Sequence, residues 1–79
     1  MQSLRKRIIM GVNDGIAKIP HNIETVDREY LVALAHRSIY CVTRERYDEA
    51  VRMLEEANNI LTQYKLGEYF ADPLTVLKV

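Results

Sequence analysis

Tyr47, Ala50, Leu54, Ala57, Leu61 and Tyr64 recur at intervals of three, four, three, four and three residues. Residues so spaced share one face of an α-helix, and the alternation is the seam of two packed helices. Val51, Met53 and Ile60 widen the stripe, while Asp48, Glu49, Arg52, Glu55, Glu56, Asn59 and Gln63 fill the opposite side. Asp48 and Arg52 add an i,i+4 ion pair. The spacing predicts a helix over about residues 45–66, closed by Gly67 at the position where helix ends favour a left-handed residue. A helix with one apolar stripe has to bury it, so its partner is to be sought in the preceding residues.

That partner is the segment of about residues 26–43. Tyr30, Leu31, Val32, Ala33, Leu34, Ala35, Ile39, Tyr40, Cys41 and Val42 cover much of its circumference, which predicts burial on more than one side. Thr25 is placed to cap it, and Asp27 and Glu29 complement the helix dipole in its first turn. The connection to the next helix is short, so the two fold back as an antiparallel hairpin from about Val26 to Leu66.

Two flanking segments remain. Leu4, Ile8, Val12 and Ile16 recur every fourth residue, predicting a short helix over about residues 3–17. Gly11 and Gly15 oppose it by roughly 1 kcal/mol each, and Asn13-Asp14-Gly15 also suits the turn of a β-hairpin. The helix is the preferred reading; its two glycines share a face and either admit a close neighbour or mark a frayed end. Pro20 ends the element by pushing Ile19 out of helical geometry. The tail, residues 68–79, carries Tyr69, Phe70, Leu74, Val76, Leu77 and Val79 and is too apolar to stay in water. It forms a helical turn capped at Asp72-Pro73 or an extended strand, docked on its own hairpin or on a neighbouring subunit. The fold class expected is therefore all-α: a short N-terminal helix, a long antiparallel helical hairpin and a short apolar C-terminal tail.

At 79 residues the chain has the length of one domain and a modest core, the size at which disulfides, metals or oligomerisation supplement folding. Cys41 is the single cysteine, which excludes an internal disulfide and a thiolate-rich zinc site and suits a reducing compartment such as the cytoplasm. Eleven basic residues balance eleven acidic ones, which argues against nucleic-acid coating and favours self-association. Arg5-Lys6-Arg7 before Ile8-Ile9-Met10-Gly11-Val12 is too short an apolar run for a secretory signal, and no stretch approaches the ~20 apolar residues of a membrane span.

The run Arg46 to Ala57 resembles the second helix of a tetratricopeptide repeat, with Tyr47, Ala50, Leu54 and Ala57 at the family's aromatic, small, large and small positions. Upstream, Leu34 and Ser38 fit, whereas Arg37 stands at an apolar position and Glu45 replaces the turn glycine. The resemblance covers one repeat, about Leu31–Leu61, and implies a tight helical hairpin with a protein-binding role. Arg28-Glu29-Tyr30 with Ala33-Leu34 is similar to the start of the hairpin in phage-encoded sponges that bind cyclic nucleotides. That resemblance implies a phage accessory protein assembled as an oligomer around an anionic nucleotide.

Candidate chemistry is sparse. His21 and His36 are 15 residues apart with no carboxylate spaced to complete a metal triad, and Cys41 lies in an apolar run where thiols behave as small hydrophobes. No catalytic or metal site and no cofactor is expected. His36, Arg37, Tyr40 and Arg44 follow one stripe of the second helix; this is either a solvated face or a patch for an anion or nucleobase, with Arg28 and Lys18 joining from the loop side. Five tyrosines are many for this length. Tyr47 and Tyr64 read as core, while Tyr69 and Phe70, with Leu74 and Leu77, are the residues expected to anchor a protein partner. The reading that follows is a small regulator, inhibitor or adaptor acting by protein binding as a homo-oligomer. The alternative is a sponge that holds a cyclic nucleotide between subunits through Arg28, Arg37, Tyr40 and Arg44.

Overall fold

The computed structural model describes residues 3–78, which form four α-helices and, among those residues, no strand. The helices are α1 (Leu4–Lys18), α2 (Thr25–Thr43), α3 (Tyr47–Gln63) and α4 (Ala71–Leu77). Among the described residues no helix is long and apolar enough to cross a membrane.

The helix wins over the hairpin in the first segment. Ser3 caps α1 by accepting a hydrogen bond from the Lys6 N–H at 3.1 Å, and the helix runs unbroken through Asn13-Asp14-Gly15. The two glycines mark a neighbour rather than a frayed end. A Cβ on Gly15 would lie 2.5 Å from the Phe70 ring, and one on Gly11 would lie 3.1 Å from Cδ of Pro73. The tail uses this gap: Phe70 is fully buried against the bare backbone of α1, and α4 follows directly.

Of the two forms expected for the tail, the helix is the one adopted. Pro73 sits in the first turn of α4, where its missing N–H costs nothing. The N–H of Phe70, left free at that helix start, donates to Oδ1 of the buried Asn58 on α3 at 3.1 Å. Arg7 to Asp72 at 3.4 Å and Lys78 to Glu55 at 2.6 Å tie the two sides of α4 to α1 and α3. Each helix packs on two others, in the cyclic order α1, α2, α3, α4 and back to α1. The molecule measures 36 × 20 × 17 Å.

Between α2 and α3 the seam is filled by Leu31, Leu34, Ala35 and Val42 against Ala50, Leu54, Ala57 and Leu61, all buried. Tyr64 donates its hydroxyl to Asp27, and Tyr30 donates to Glu56. At the other end the Cys41 thiol lies 3.7 Å from Glu49 and 4.0 Å from the Met53 sulfur.

Two expectations about helix ends need correction. Thr25 is the first residue of α2 rather than its cap; Glu24 holds the cap position without a side-chain bond. Helix α3 is shorter than residues 45–66, because left-handed residues stop the chain at Glu45 (φ 60°) and Lys65 (φ 61°). Both ends are Schellman motifs. After α2, the Arg46 N–H reaches the Cys41 carbonyl at 2.8 Å and Glu45 reaches Val42 at 3.1 Å. After α3, Leu66 reaches Leu61 and Lys65 reaches Thr62, each at 2.9 Å. Gly67 has no positive φ. The physical reason is Leu66: placing the left-handed residue at Lys65, two residues before Gly67, swings that side chain back onto the core.

Candidate functional site

The four tail residues expected to anchor a partner divide. Phe70 is fully buried and Leu74 nearly so, both in the core of this chain, while Tyr69 and Leu77 are half-buried. Leu74 touches a polar hollow between α3 and α4, and Leu77 reaches an apolar feature. This is a groove of about 270 Å³ that Leu77 lines with Val76, Leu4, Arg5, Ile8 and Tyr47. The groove lies where the start of α1, the start of α3 and the end of α4 meet. Leu4 is 67% exposed and Tyr47 40% exposed, so both are unusually open for apolar side chains. Arg5 at the rim stands 3.6 Å from Glu45 in an exposed ion pair.

Tyr47 therefore is not the core residue that its place in the seam suggests, and Tyr64 is only half-buried. The seam pattern marks which face of α3 turns inward. It does not tell that its first residue opens onto the groove rather than the core. Leu4, Ile8 and Val76 carry no sequence sign of a surface role beyond their places in the apolar patterns of α1 and the tail.

On α2, Arg37, Tyr40 and Arg44 follow one exposed stripe, with the Arg44 guanidinium 5.1 Å over the Tyr40 ring centroid in a cation–π contact. His36 is exposed beside them. Arg28 does not join the set. It shares the inner side of the helix with Leu31 and Ala35, is half-buried, and its Nε is enclosed without a partner. It also lies about 24 Å along the axis from Arg44 at 1.5 Å per residue. The stripe continues instead through Ala33, Tyr30 and Val26, all exposed, with Val26 at 68% and Tyr40 at 52%. The expected burial of α2 on more than one side is met by α1 and α3, yet this third side stays open.

Reactive groups are muted. Burial and then the neighbouring Glu49 push the Cys41 thiol above its ordinary value, which keeps it protonated and unreactive. The hydroxyls of Tyr30 and Tyr64 are also raised, first by donating to Glu56 and Asp27 respectively. Among the described residues no group of three His, Cys, Asp or Glu side chains is placed to hold a metal ion. Between α3 and α4 the Nδ2 of Asn58 is buried without a partner among the described residues, in a polar hollow lined by Glu55, Glu68 and Lys78, of which Glu55 and Lys78 pair with each other. What the arrangement offers is surface: one apolar groove and one open helix face. No family model, curated protein or solved structure matches this chain.

Proposed function

We propose that the chain is a single-domain cytoplasmic regulator, inhibitor or adaptor that works by binding a protein rather than by catalysis, and that it does so as a homo-oligomer. In this reading α2 and α3 form a long antiparallel hairpin, stiffened by the docked tail, and the groove at its end takes the partner. The observation that carries it is the groove itself. Its lining of Leu4, Ile8, Tyr47, Val76 and Leu77 is apolar, and its volume accepts one or two large side chains. Arg5 on the rim, engaged only in the exposed 3.6 Å pair with Glu45, favours a partner carboxylate that displaces Glu45. The fitting occupant is a short amphipathic segment with an aromatic or leucine anchor flanked by an acidic residue. The tetratricopeptide-like pattern in α3 points the same way.

Truncation after Gly67 does not test this cleanly, because it also removes Phe70 from the core. Selection of a displayed peptide library on the immobilised protein does. Enriched peptides should share an apolar anchor beside an acid, and their binding should drop at least tenfold with Leu77→Asp or Tyr47→Asp while helix content by circular dichroism holds. Peptides indifferent to both substitutions, or none enriched, would count decisively against the groove.

The second reading is a sponge for an anionic, cyclic nucleotide held through Arg37, Tyr40 and Arg44. The stacked Arg44–Tyr40 pair favours it, since a guanidinium and a phenol side by side suit phosphate and base. A nucleotide panel should then raise the melting temperature, and the absence of any shift would set the reading aside.

A further inference from the structure

The open face of α2 has a pattern of its own. Val26, Tyr30, Ala33, Arg37, Tyr40 and Arg44 are spaced four, three, four, three and four apart, and all six are exposed. This is the seam spacing already met in α3, here on a helix side that none of the described residues covers. We propose that this face pairs with the same face of a second copy, the two α2 helices running antiparallel about a two-fold axis near Ala35. The inference rests on the homo-oligomeric part of the proposed function and names the surface that makes the oligomer.

The self-complementarity is visible in the order of side chains. Turned about that axis, the stripe sets Tyr30 against Tyr40 of the second copy, Ala33 against its Arg37, and Val26 against its Arg44. Aromatic meets aromatic, and the smallest residue faces a long one. Charge selects the same direction. Near Tyr30 the face is acidic, with Glu29 exposed on the flank and Glu56 of α3 bonded to the Tyr30 hydroxyl. Toward its other end it carries Arg37 and Arg44. Antiparallel pairing brings each basic end onto the acidic end of the other copy, whereas parallel pairing would stack Arg37 on Arg37 and Arg44 on Arg44. The contact runs about 27 Å along the helix. A single helix pair of that length belongs to the small end of dimer interfaces, about 1,200 Å² in total, so the dimer forms in a concentration-dependent way.

The test uses the purified full chain with no partner or peptide present. Light scattering over a concentration series should rise from monomer to dimer mass. Ala33→Arg, which adds a good helix former on an open face but sets it against Arg37 of the second copy, should weaken the dimer at least tenfold without lowering the melting temperature measured at concentrations where the chain is monomeric. In a Cys41→Ala background, Val26→Cys and Arg44→Cys chains should form a disulfide under mild oxidation only when mixed, each alone staying uncrosslinked. Rapid crosslinking of either variant alone would overturn the antiparallel direction. A wild-type chain that stays monomeric throughout would overturn the pairing, and a dimer indifferent to Ala33→Arg would overturn the face. Peptide binding in the groove is read separately, so loss of the dimer with groove binding intact would leave that part of the proposed function standing.

Discussion

Gly15 and Phe70 are a matched pair, and the match can be measured. A Cβ at Gly15 would come within 2.5 Å of the ring and 2.9 Å of the Tyr69 carbonyl, neither of which can swing away cheaply. Gly15→Ala is expected to cost about 1–3 kcal/mol in urea unfolding despite alanine's better helix propensity. Gly11→Ala meets only the Pro73 ring at 3.1 Å, so its propensity gain and its crowding nearly cancel, and it should stay within about 1 kcal/mol of wild type. A Gly15→Ala protein as stable as the parent would mean that the ring does not seat there. The sequence shows two glycines on one face of a helix, and that suffices to suspect a close neighbour. Naming Phe70 as that neighbour needs the fold, because nothing local in the tail distinguishes a core aromatic from one offered to a partner.

At the level of elements, helix identity was legible and helix ends were less so. The period of the apolar residues reports which face turns inward, and α2 and α3 follow it. The ends depend on which residue accepts a left-handed backbone, and there Gly67 misled. The chain gives that conformation to Lys65, at a cost of roughly 1–2 kcal/mol for a residue with a Cβ. Lys65→Gly should therefore stabilise by a few tenths to about 1 kcal/mol once the looser unfolded chain is counted. Gly67→Ala, whose added Cβ would meet the Tyr69 ring at an ordinary 3.5 Å, should be neutral or slightly stabilising. Opposite results would place the cap at Gly67 after all. The bonds between α2 and α3 add a pH dependence. Tyr30 and Tyr64 donate to carboxylates, and Cys41 is buried beside one, so all three keep their protons longer folded than unfolded. A group with a raised folded value contributes its stability fully below the unfolded value and loses it as pH rises through the folded one. Stability should thus fall on the alkaline side, past the ordinary ranges of thiol and phenol, and Tyr30→Phe with Tyr64→Phe should flatten that fall in melting curves taken across pH.

For the molecule as a whole, the all-α class was readable from periodicity. The cyclic order of the helices was not. It requires α4 to lie on both α1 and α3, and that depends on three contacts between distant residues: Phe70 at Gly15, Phe70 at Asn58, and Asp72 at Arg7. Sequence spacing carries no information about pairs 65 residues apart such as Arg7 and Asp72. The candidate surfaces divide the same way. The stripe on α2 is local and could be found from spacing, whereas the groove is assembled from three separate helices.

The ring also settles how the chain is threaded. Phe70 meets Gly15, Pro73 meets Gly11, and Val76 and Leu77 reach Leu4 and Ile8, so α4 runs back along α1 toward its first residue. Start and finish of the described chain are neighbours. The connectivity of this fold is consequently a matter of choice. A short bridge from the end of α4 to the start of α1, with a new opening at exposed His21 and Asn22, would keep every helix contact while giving the protein a different first residue. A circular permutant of that kind would carry fusion partners at the loop after α1, away from the groove, while the bridge itself would run beside the groove that Leu4, Val76 and Leu77 line.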